Sequence, residues 1–186
     1  MYRIISFLNI NKNDILQKHI NSFYCPLNND SEKFLKQYAL SASKHSSAIT
    51  HLIFENSRQE LLGYFTLALK ILALNKGSLT KSKLKKLSNI LSVEGKPDTE
   101  YVAAYLIAQL AKNFNKDNLN QISGFDKLLT AESYILNIQK QIGGRIIFIE
   151  SVDNKKVVNF YEDNGYIELR EITTNNEKLH LMYKII

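Results

Sequence analysis

The sequence predicts a mixed α/β fold of the α+β kind, built on a mostly antiparallel sheet with one parallel pair of strands. Three observations predict it. Short runs rich in β-branched and aromatic residues alternate with segments of helical spacing along the whole chain. In the C-terminal half an apolar run, a polar loop, a long helical segment and a second apolar run follow one another, the order of a βαβ unit, so those two runs are expected to be parallel. The last two runs flank a polar turn and pair as a hairpin. Helices are expected on both faces of the sheet. The 186 residues, 45% hydrophobic and 23% charged, suit one folded domain over residues 1–186 rather than a disordered or repetitive chain.

The elements follow in order. Residues 2–8 read as a first strand, and Asn13-Asp14 offers a cap for a short helix over 15–23. After Pro26, Asp30 or Ser31 starts a second helix with Phe34, Leu35, Tyr38 and Leu40 or Ala42 at helical spacing. SAITHLIFE (47–55) and LLGYFTLALKILAL (61–74) form a hairpin across the polar stretch between them. Lys76, Lys81, Lys83, Lys85 and Lys86 then follow with no acidic residue among them, and residues 95–98 close a loop, so 76–98 reads as an excursion from the core. EYVAAYLIAQLAK (100–112) would suit a helix by composition, but its context makes it a buried strand. A helix over 125–142 turns Leu128, Leu129, Tyr134 or Ile135, and Ile138 or Ile142 inward. Gly143-Gly144 ends it, and RIIFIE (145–150) is the second parallel strand. Asp153 or Asn154 caps a last helix through Glu162, stopped by Gly165, and strands over 166–172 and 178–185 finish the chain.

Composition excludes several classes. The single cysteine, Cys25, rules out an internal disulfide framework, and four scattered histidines (His19, His45, His51, His180) give no paired ligand spacing, so no metal is expected. No window approaches the 18 or so apolar residues of a membrane span, and the N-terminus lacks a cleavage site, so the expected compartment is cytoplasmic, with no membrane partner. The net charge of +6 suits an anionic partner, although 20 lysines stand against 4 arginines, the residue suited to bidentate phosphate recognition. The lysine run reads either as a solvated helix face or mobile loop, or as a basic patch for an anionic substrate.

The most informative stretch runs from Gln109-Leu110-Ala111-Lys112 through Gln121-Ile122-Ser123-Gly124-Phe125-Asp126 to Asn154, Phe160-Tyr161 and Gly165-Tyr166. A glycine before a helix lets the chain come close to an anion, and the helix's first N–H groups suit phosphate oxygens. The stretch resembles the GNAT superfamily of acetyl-CoA-dependent N-acetyltransferases. Their phosphate loop reads Q/R-x-x-G-x-G/A, and their later helix often reads N-x-x-A-x-x-x-Y-x-x-x-G-F. Gln121 and Gly124 match the first pattern, Asn154 and Tyr161 keep the spacing of the second, and Gly165-Tyr166 stands where the family has Gly-Phe. Asp126 departs from the last Gly/Ala: its charge opposes a pyrophosphate unless it points away or Lys127 compensates, whereas a carboxylate in a first helical turn also favours the helix.

The resemblance implies acetyl-CoA as co-substrate, with no metal. It assigns the main chain of Leu110, Ala111 and Lys112 to the pantetheine and the acetyl carbonyl, and Gln121, Ser123, Gly124, Phe125, Asp126 and Lys127 to the surroundings of the pyrophosphate. Asn154 contacts the pantetheine or caps its helix. Tyr161 serves as acid toward the CoA sulfur or packs its helix on the sheet; a phenol with pKa near 10 is protonated at neutral pH and close in acidity to a thiol. Glu150 is the candidate general base for the amine, with Glu55 and Glu100 more remote and a water chain as the alternative. Phe23-Tyr24-Cys25, the helix after it and Gly63-Tyr64-Phe65-Thr66-Leu67 are similar to the F-x-C element, L-D-x-W/F-L helix and G-Y-Y-T/S-L strand of GNAT toxins from bacterial toxin–antitoxin pairs. This implies aminoacyl-tRNA as acceptor, met by Lys81, Lys83, Lys85 and Lys86, and a small DNA-binding antitoxin as partner; the sequence leaves open a small amine or protein lysine as the acceptor instead, and whether the chain forms a homodimer. The competing expectation is a non-catalytic acyl-CoA-binding or interaction protein that has kept the fold.

Overall fold

The computed structural model describes residues 2–9, 14–56, 60–87, 98–115, 122–174 and 177–186. Seven strands, β1 (Tyr2–Ser6), β2 (Ile49–Glu55), β3 (Leu61–Asn75), β4 (Thr99–Lys112), β5 (Ile146–Val152), β6 (Ile167–Thr174) and β7 (Glu177–Ile185), form one sheet in the order β1-β2-β3-β4-β5-β7-β6. The pairs β1–β2, β2–β3, β5–β7 and β6–β7 are antiparallel, and β4–β5 is parallel. The fold is therefore mixed α+β, and the βαβ unit is present. The parallel register joins Tyr105 to Ile147 and Leu106 to Phe148, and each strand runs on beyond it. The chain divides into two compact units, Met1–Ala68 with Ile107–Ile135 and Leu69–Leu106 with Leu136–Ile186.

In the first unit, α1 (Asp14–Asn21) precedes the Phe23-Tyr24-Cys25 segment. The helix expected after Pro26 comes in three unbroken pieces, α2 (Asn29–Lys33), a π-helical turn (Phe34–Tyr38) and α3 (Ala39–Lys44). Its cap is neither Asp30 nor Ser31 but Asn28, extended at φ −154°, whose side chain accepts from the Ser31 N–H at 2.9 Å. That places Ser31 inside the first turn, where it is buried. Phe23, Cys25, Leu35, Ala39, Leu52, Phe54, Leu61, Tyr64 and Ala111 share a core. β3 is buried at every residue from Leu61 through Leu67, the pattern of a strand covered on both faces. α5 (Gly124–Ile142) turns Leu128, Ala131 and Ile135 inward, an i, i+3, i+7 stripe. The same stripe leaves Leu129 exposed, correcting its expected burial.

In the second unit, α5 ends at a Gly143-Gly144 pair, both at positive φ. Gly144 is required twice over, since at φ +95° a Cβ would also press on the Tyr105 ring at 2.9 Å. Ile138 and Ile142 are exposed rather than inward. α6 (Lys155–Asp163) stops before Gly165, whose φ of +85° suits a left-handed end. The lysine-rich stretch is less of an excursion than its charge suggested. A short 3₁₀ turn (Lys76–Ser78) leads to α4 (Lys81–Leu87), and Leu79 and Leu87 are buried in a core with Leu72, Leu74, Ala104, Phe148, Leu169 and Tyr183. A charge run therefore sits on a helix whose apolar side is spent on packing. Residues 88–97, expected as part of that loop, lie outside the described residues.

Candidate functional site

In the first unit the helix end expected to meet an anion is closed by a reciprocal cap. Ser123 Oγ accepts from the Asp126 N–H at 3.0 Å, while Asp126 Oδ2 accepts from the Ser123 N–H at 3.1 Å and from its hydroxyl at 2.6 Å. This is a capping box with Asp at the third helical position. The bonds from Ser123 hold the Asp126 carboxyl below its ordinary range. Gly124 and Phe125 follow the cap in the first turn, and Phe125 is exposed. Lys127 does not compensate Asp126 as expected. It is 6% exposed, and its Cδ lies 3.3 Å from where a Gly63 Cβ would be. Burial pushes the Lys127 amine down to about 8, against the attraction of nearby Cys25 and with the repulsion of Lys112. Gln121 lies outside the described residues.

The end of β4 is held by residues that sequence reasoning missed. Ala111 is buried, and its carbonyl passes so close to Gly63 that a Cβ there would lie 2.5 Å from the oxygen. Asn113, 2% exposed, donates from its backbone to Leu62 O and from Nδ2 to Leu61 O, each at 2.8 Å, and accepts from the Tyr24 N–H at 3.1 Å. The Phe114 N–H adds a bond to Tyr24 O at 2.7 Å. These bonds pin the Phe23-Tyr24-Cys25 segment to the two residues that follow β4. Leu110 and Lys112 are half-buried, and the Lys112 ammonium lies 5.9 Å from the Phe114 ring centre. Farther back on β4, Gln109 meets Ser31 of α2 and Tyr64 of β3. His51 stacks on Phe65 and is held neutral, burial pushing it down to about 4.

In the second unit Tyr161 stands on α6, its ring edge-on to Phe160 and Tyr166 at 5.1 and 5.5 Å. Burial pushes its hydroxyl up to about 12, and no hydrogen bond to that hydroxyl is found among the described residues. It is therefore a weaker acid than an ordinary phenol, protonated throughout the neutral range, with its O–H unspent. Asn154 is the N-cap of α6, its Oδ1 accepting from the Lys156 N–H at 3.0 Å. Glu150 is exposed on β5, opposite Leu181 of β7. Glu100 is not a free base: it is 3% exposed, with Oε1 2.8 Å from Lys76 Nζ in an ion pair.

Of the four lysines expected to meet RNA, Lys81, Lys85 and Lys86 are exposed, but Lys83 is half-buried and donates to Leu169 O at 3.1 Å. Leu169 lies in the irregularity of β6 between Glu168 and Arg170, where the ladder with β7 slips by a residue. A further cluster was invisible in the sequence. His180 Nδ1 lies 2.7 Å from Glu168 Oε1 and its Nε2 3.0 Å from Asp153 Oδ1, while Lys178 pairs with Glu171 at 2.8 Å. No described helix is long and apolar enough to cross a membrane.

The chain resembles three solved structures over nearly its whole length. AtaT complexed with acetyl-methionyl-tRNAfMet is 20% identical, with 97% of this chain and 94% of that one covered, at a TM-score of 0.65. A tyrosine-to-phenylalanine mutant of KacT is 20% identical, covering 99% and 94%, at 0.66. AtaTR bound with acetyl-CoA is 16% identical, covering 97% and 92%, at 0.62. The fold is that of the GNAT toxins. The seven-stranded sheet with its one parallel pair is thus the GNAT sheet, and at this identity the likeness establishes fold. No family model and no curated protein matches the sequence.

Proposed function

We propose that the chain is an acetyl-CoA-dependent N-acetyltransferase of the GNAT-toxin type. The observation that carries this reading is the brief parallel register of β4 and β5. After Leu106, β4 continues for six residues to Lys112. In a GNAT fold that continuation supplies main-chain groups to the thioester, and here it includes Leu110, Ala111 and Lys112. An N–H there polarises the acetyl carbonyl as the amine attacks, an oxyanion-type contribution independent of side-chain identity. The pyrophosphate is received at the Gly124 and Phe125 N–H groups, which the Ser123–Asp126 cap leaves unused, aided by the positive end of a 19-residue helix; Asp126 and the buried Lys127 stand beside it without contacting it. Gln121 completes that loop by the sequence pattern. Asn154, with its carbonyl spent on the cap, has only Nδ2 to offer the pantetheine.

The acetyl carbon passes from sulfur to the amine nitrogen: the C–S bond breaks, the C–N bond forms, and the amine loses a proton. Tyr161 donates a hydrogen bond to the sulfur as negative charge develops and then supplies the proton that makes the free thiol. Its raised pKa keeps it in the donor form at every pH at which the amine is reactive. Glu150, or water in its place, takes the proton from the amine. That neighbouring toxin structures carry a tyrosine-to-phenylalanine change supports a tyrosine in this role. Aminoacyl-tRNA is the acceptor class we propose, supported by a neighbour solved with acetyl-methionyl-tRNAfMet; a partner antitoxin is proposed on the support of another solved bound to the C-terminus of the antitoxin AtaR.

The test is release of free CoA from acetyl-CoA on addition of aminoacyl-tRNA. Tyr161→Phe is expected to lower turnover by roughly 100-fold, the usual scale of acid catalysis, with acetyl-CoA affinity kept. Unchanged turnover removes Tyr161 from the mechanism. Acetyl-CoA binding with no release for any amine leaves a binding protein that has kept the fold.

A further inference from the structure

Gln109 carries an orientation that packing alone does not require. It lies two residues before Ala111 on β4, about 7 Å along the strand at the usual rise and on the same face, since alternate residues share a face. Ser31 Oγ donates to Gln109 Oε1 at 2.6 Å, and the Tyr64 hydroxyl, 3.5 Å from that oxygen, donates to Ser31 O at 2.6 Å. A separation of 2.6 Å is ordinary for O–H···O and short for N–H···O, so the carboxamide turns its oxygen, not its nitrogen, toward Ser31.

Each partner is itself buried and hydrogen-bonded. Ser31 is 3% exposed, with its N–H held by the Asn28 cap, and Tyr64 is wholly buried. Burial pushes the Tyr64 hydroxyl far above the ordinary phenol range, so it remains a donor. The other end of the Gln109 carboxamide is therefore fixed as well. Nε2 presents two N–H donors that have no partner among the described residues, on a half-buried side chain.

We infer that Gln109 positions the acceptor substrate, donating from Nε2 to a carbonyl oxygen carried beside the acceptor's amine, the arrangement of an α-aminoacyl group. This rests on the acetyltransferase reading and adds to it a specificity-determining side chain. A pair of N–H donors with a fixed direction matches the in-plane lone pairs of a carbonyl and offers nothing to a bare alkylamine. A site built to make such a bond discriminates against the analogue that lacks it.

Two probes separate the cases: leucinamide, which carries the carbonyl, and 3-methylbutylamine, which does not. In the wild-type chain leucinamide is expected to shift the side-chain amide resonances of Gln109, and 3-methylbutylamine is not. The kcat/KM ratio of leucinamide to 3-methylbutylamine is expected to be at least about tenfold, the scale of one hydrogen bond. Gln109→Glu keeps an oxygen for Ser31 and the shape of the side chain but loses both donors; Gln109→Met removes the donors without adding charge. Either is expected to bring the ratio to near one while leaving the KM for acetyl-CoA unchanged. A ratio unaltered in Gln109→Glu overturns the proposal, as does an equal loss for both amines. If the wild-type chain releases CoA with neither amine, the amide resonance decides Gln109 alone: a leucinamide-specific shift upholds its role, and no shift overturns it; the acetyltransferase reading itself fails only if aminoacyl-tRNA also releases no CoA.

Discussion

Gly63 is the residue with least room to change. A methyl group there would meet the Ala111 carbonyl at 2.5 Å, and a backbone oxygen inside a sheet cannot move aside as a flexible side chain would. Gly63→Ala is expected to cost about 1–3 kcal/mol, the usual range for overpacking, measured by urea denaturation. It should also weaken acetyl-CoA binding, because the atom displaced belongs to Ala111. Asp126 gives the opposite kind of prediction. Its carboxyl is held low by Ser123, so its contribution is full above the ordinary aspartate value and is lost as pH falls through the lowered one. Asp126→Ala should cost on the order of 1 kcal/mol as a lost cap. Asp126→Asn keeps an acceptor for Ser123 and removes the charge, so acetyl-CoA affinity should rise severalfold, seen by calorimetry and fading at high salt. The presence of Asp126 in a first turn was legible; its pairing with Ser123 was written in the S-x-x-D spacing but not read. The hydrogen bonds joining Ser31, Tyr64 and Gln109, and those of Asn113, were not legible, because these partners lie 33 to 89 residues apart in sequence. Local pattern carries no information about such pairings.

At the scale of elements, the His180 cluster ties the turn before α6 to β6. Hydrogen bonds to Asp153 and then to Glu168 raise His180 above its ordinary 6.5, and only the doubly protonated ring makes both. Glu171 and Lys178 stand beside it as a second pair. The sign follows: this stabilisation is full below about 6.5 and is lost as pH rises through the elevated value. Thermal stability should therefore decline from pH 6 toward pH 9 more steeply in the wild type than in His180→Gln; parallel profiles would remove the tie. Periodicity placed β2, β3, β4, β5, β6, β7 and α5 within a few residues, since apolar runs and glycine stops are local signals. It failed where two signals compete. The lysines between residues 76 and 86 were readable as a solvated helix face, which α4 is, but hid its anchoring by Leu79 and Leu87. The π turn of Phe34–Tyr38 leaves no mark in spacing, because one extra residue in a turn is decided by packing.

Across the whole molecule, the +6 charge decides less than which charged side chains are exposed. Lys83 is engaged by the Leu169 carbonyl, so removing it would confound stability with binding. Lys81, Lys85 and Lys86 are the informative set. If aminoacyl-tRNA is the acceptor, changing all three to Gln should reduce the salt dependence of log kcat/KM by roughly 2 units of slope, with acetyl-CoA affinity intact. An unchanged slope would place the RNA elsewhere or remove it. The fold itself was legible from the strand, loop, helix, strand order, since a parallel pair needs a crossover and the 19-residue α5 makes it. The proposed chemistry rests, on the sequence side, on the family spacing kept by Asn154, Tyr161 and Gly124. Every catalytic assignment passes through acetyl-CoA, so the decisive measurement is a calorimetric titration of the wild-type chain with it. The account predicts saturable one-to-one binding with a dissociation constant on the order of 1–100 μM, near the usual range of substrate constants. No saturable heat up to about 1 mM acetyl-CoA would contradict it, leaving a GNAT sheet without its co-substrate.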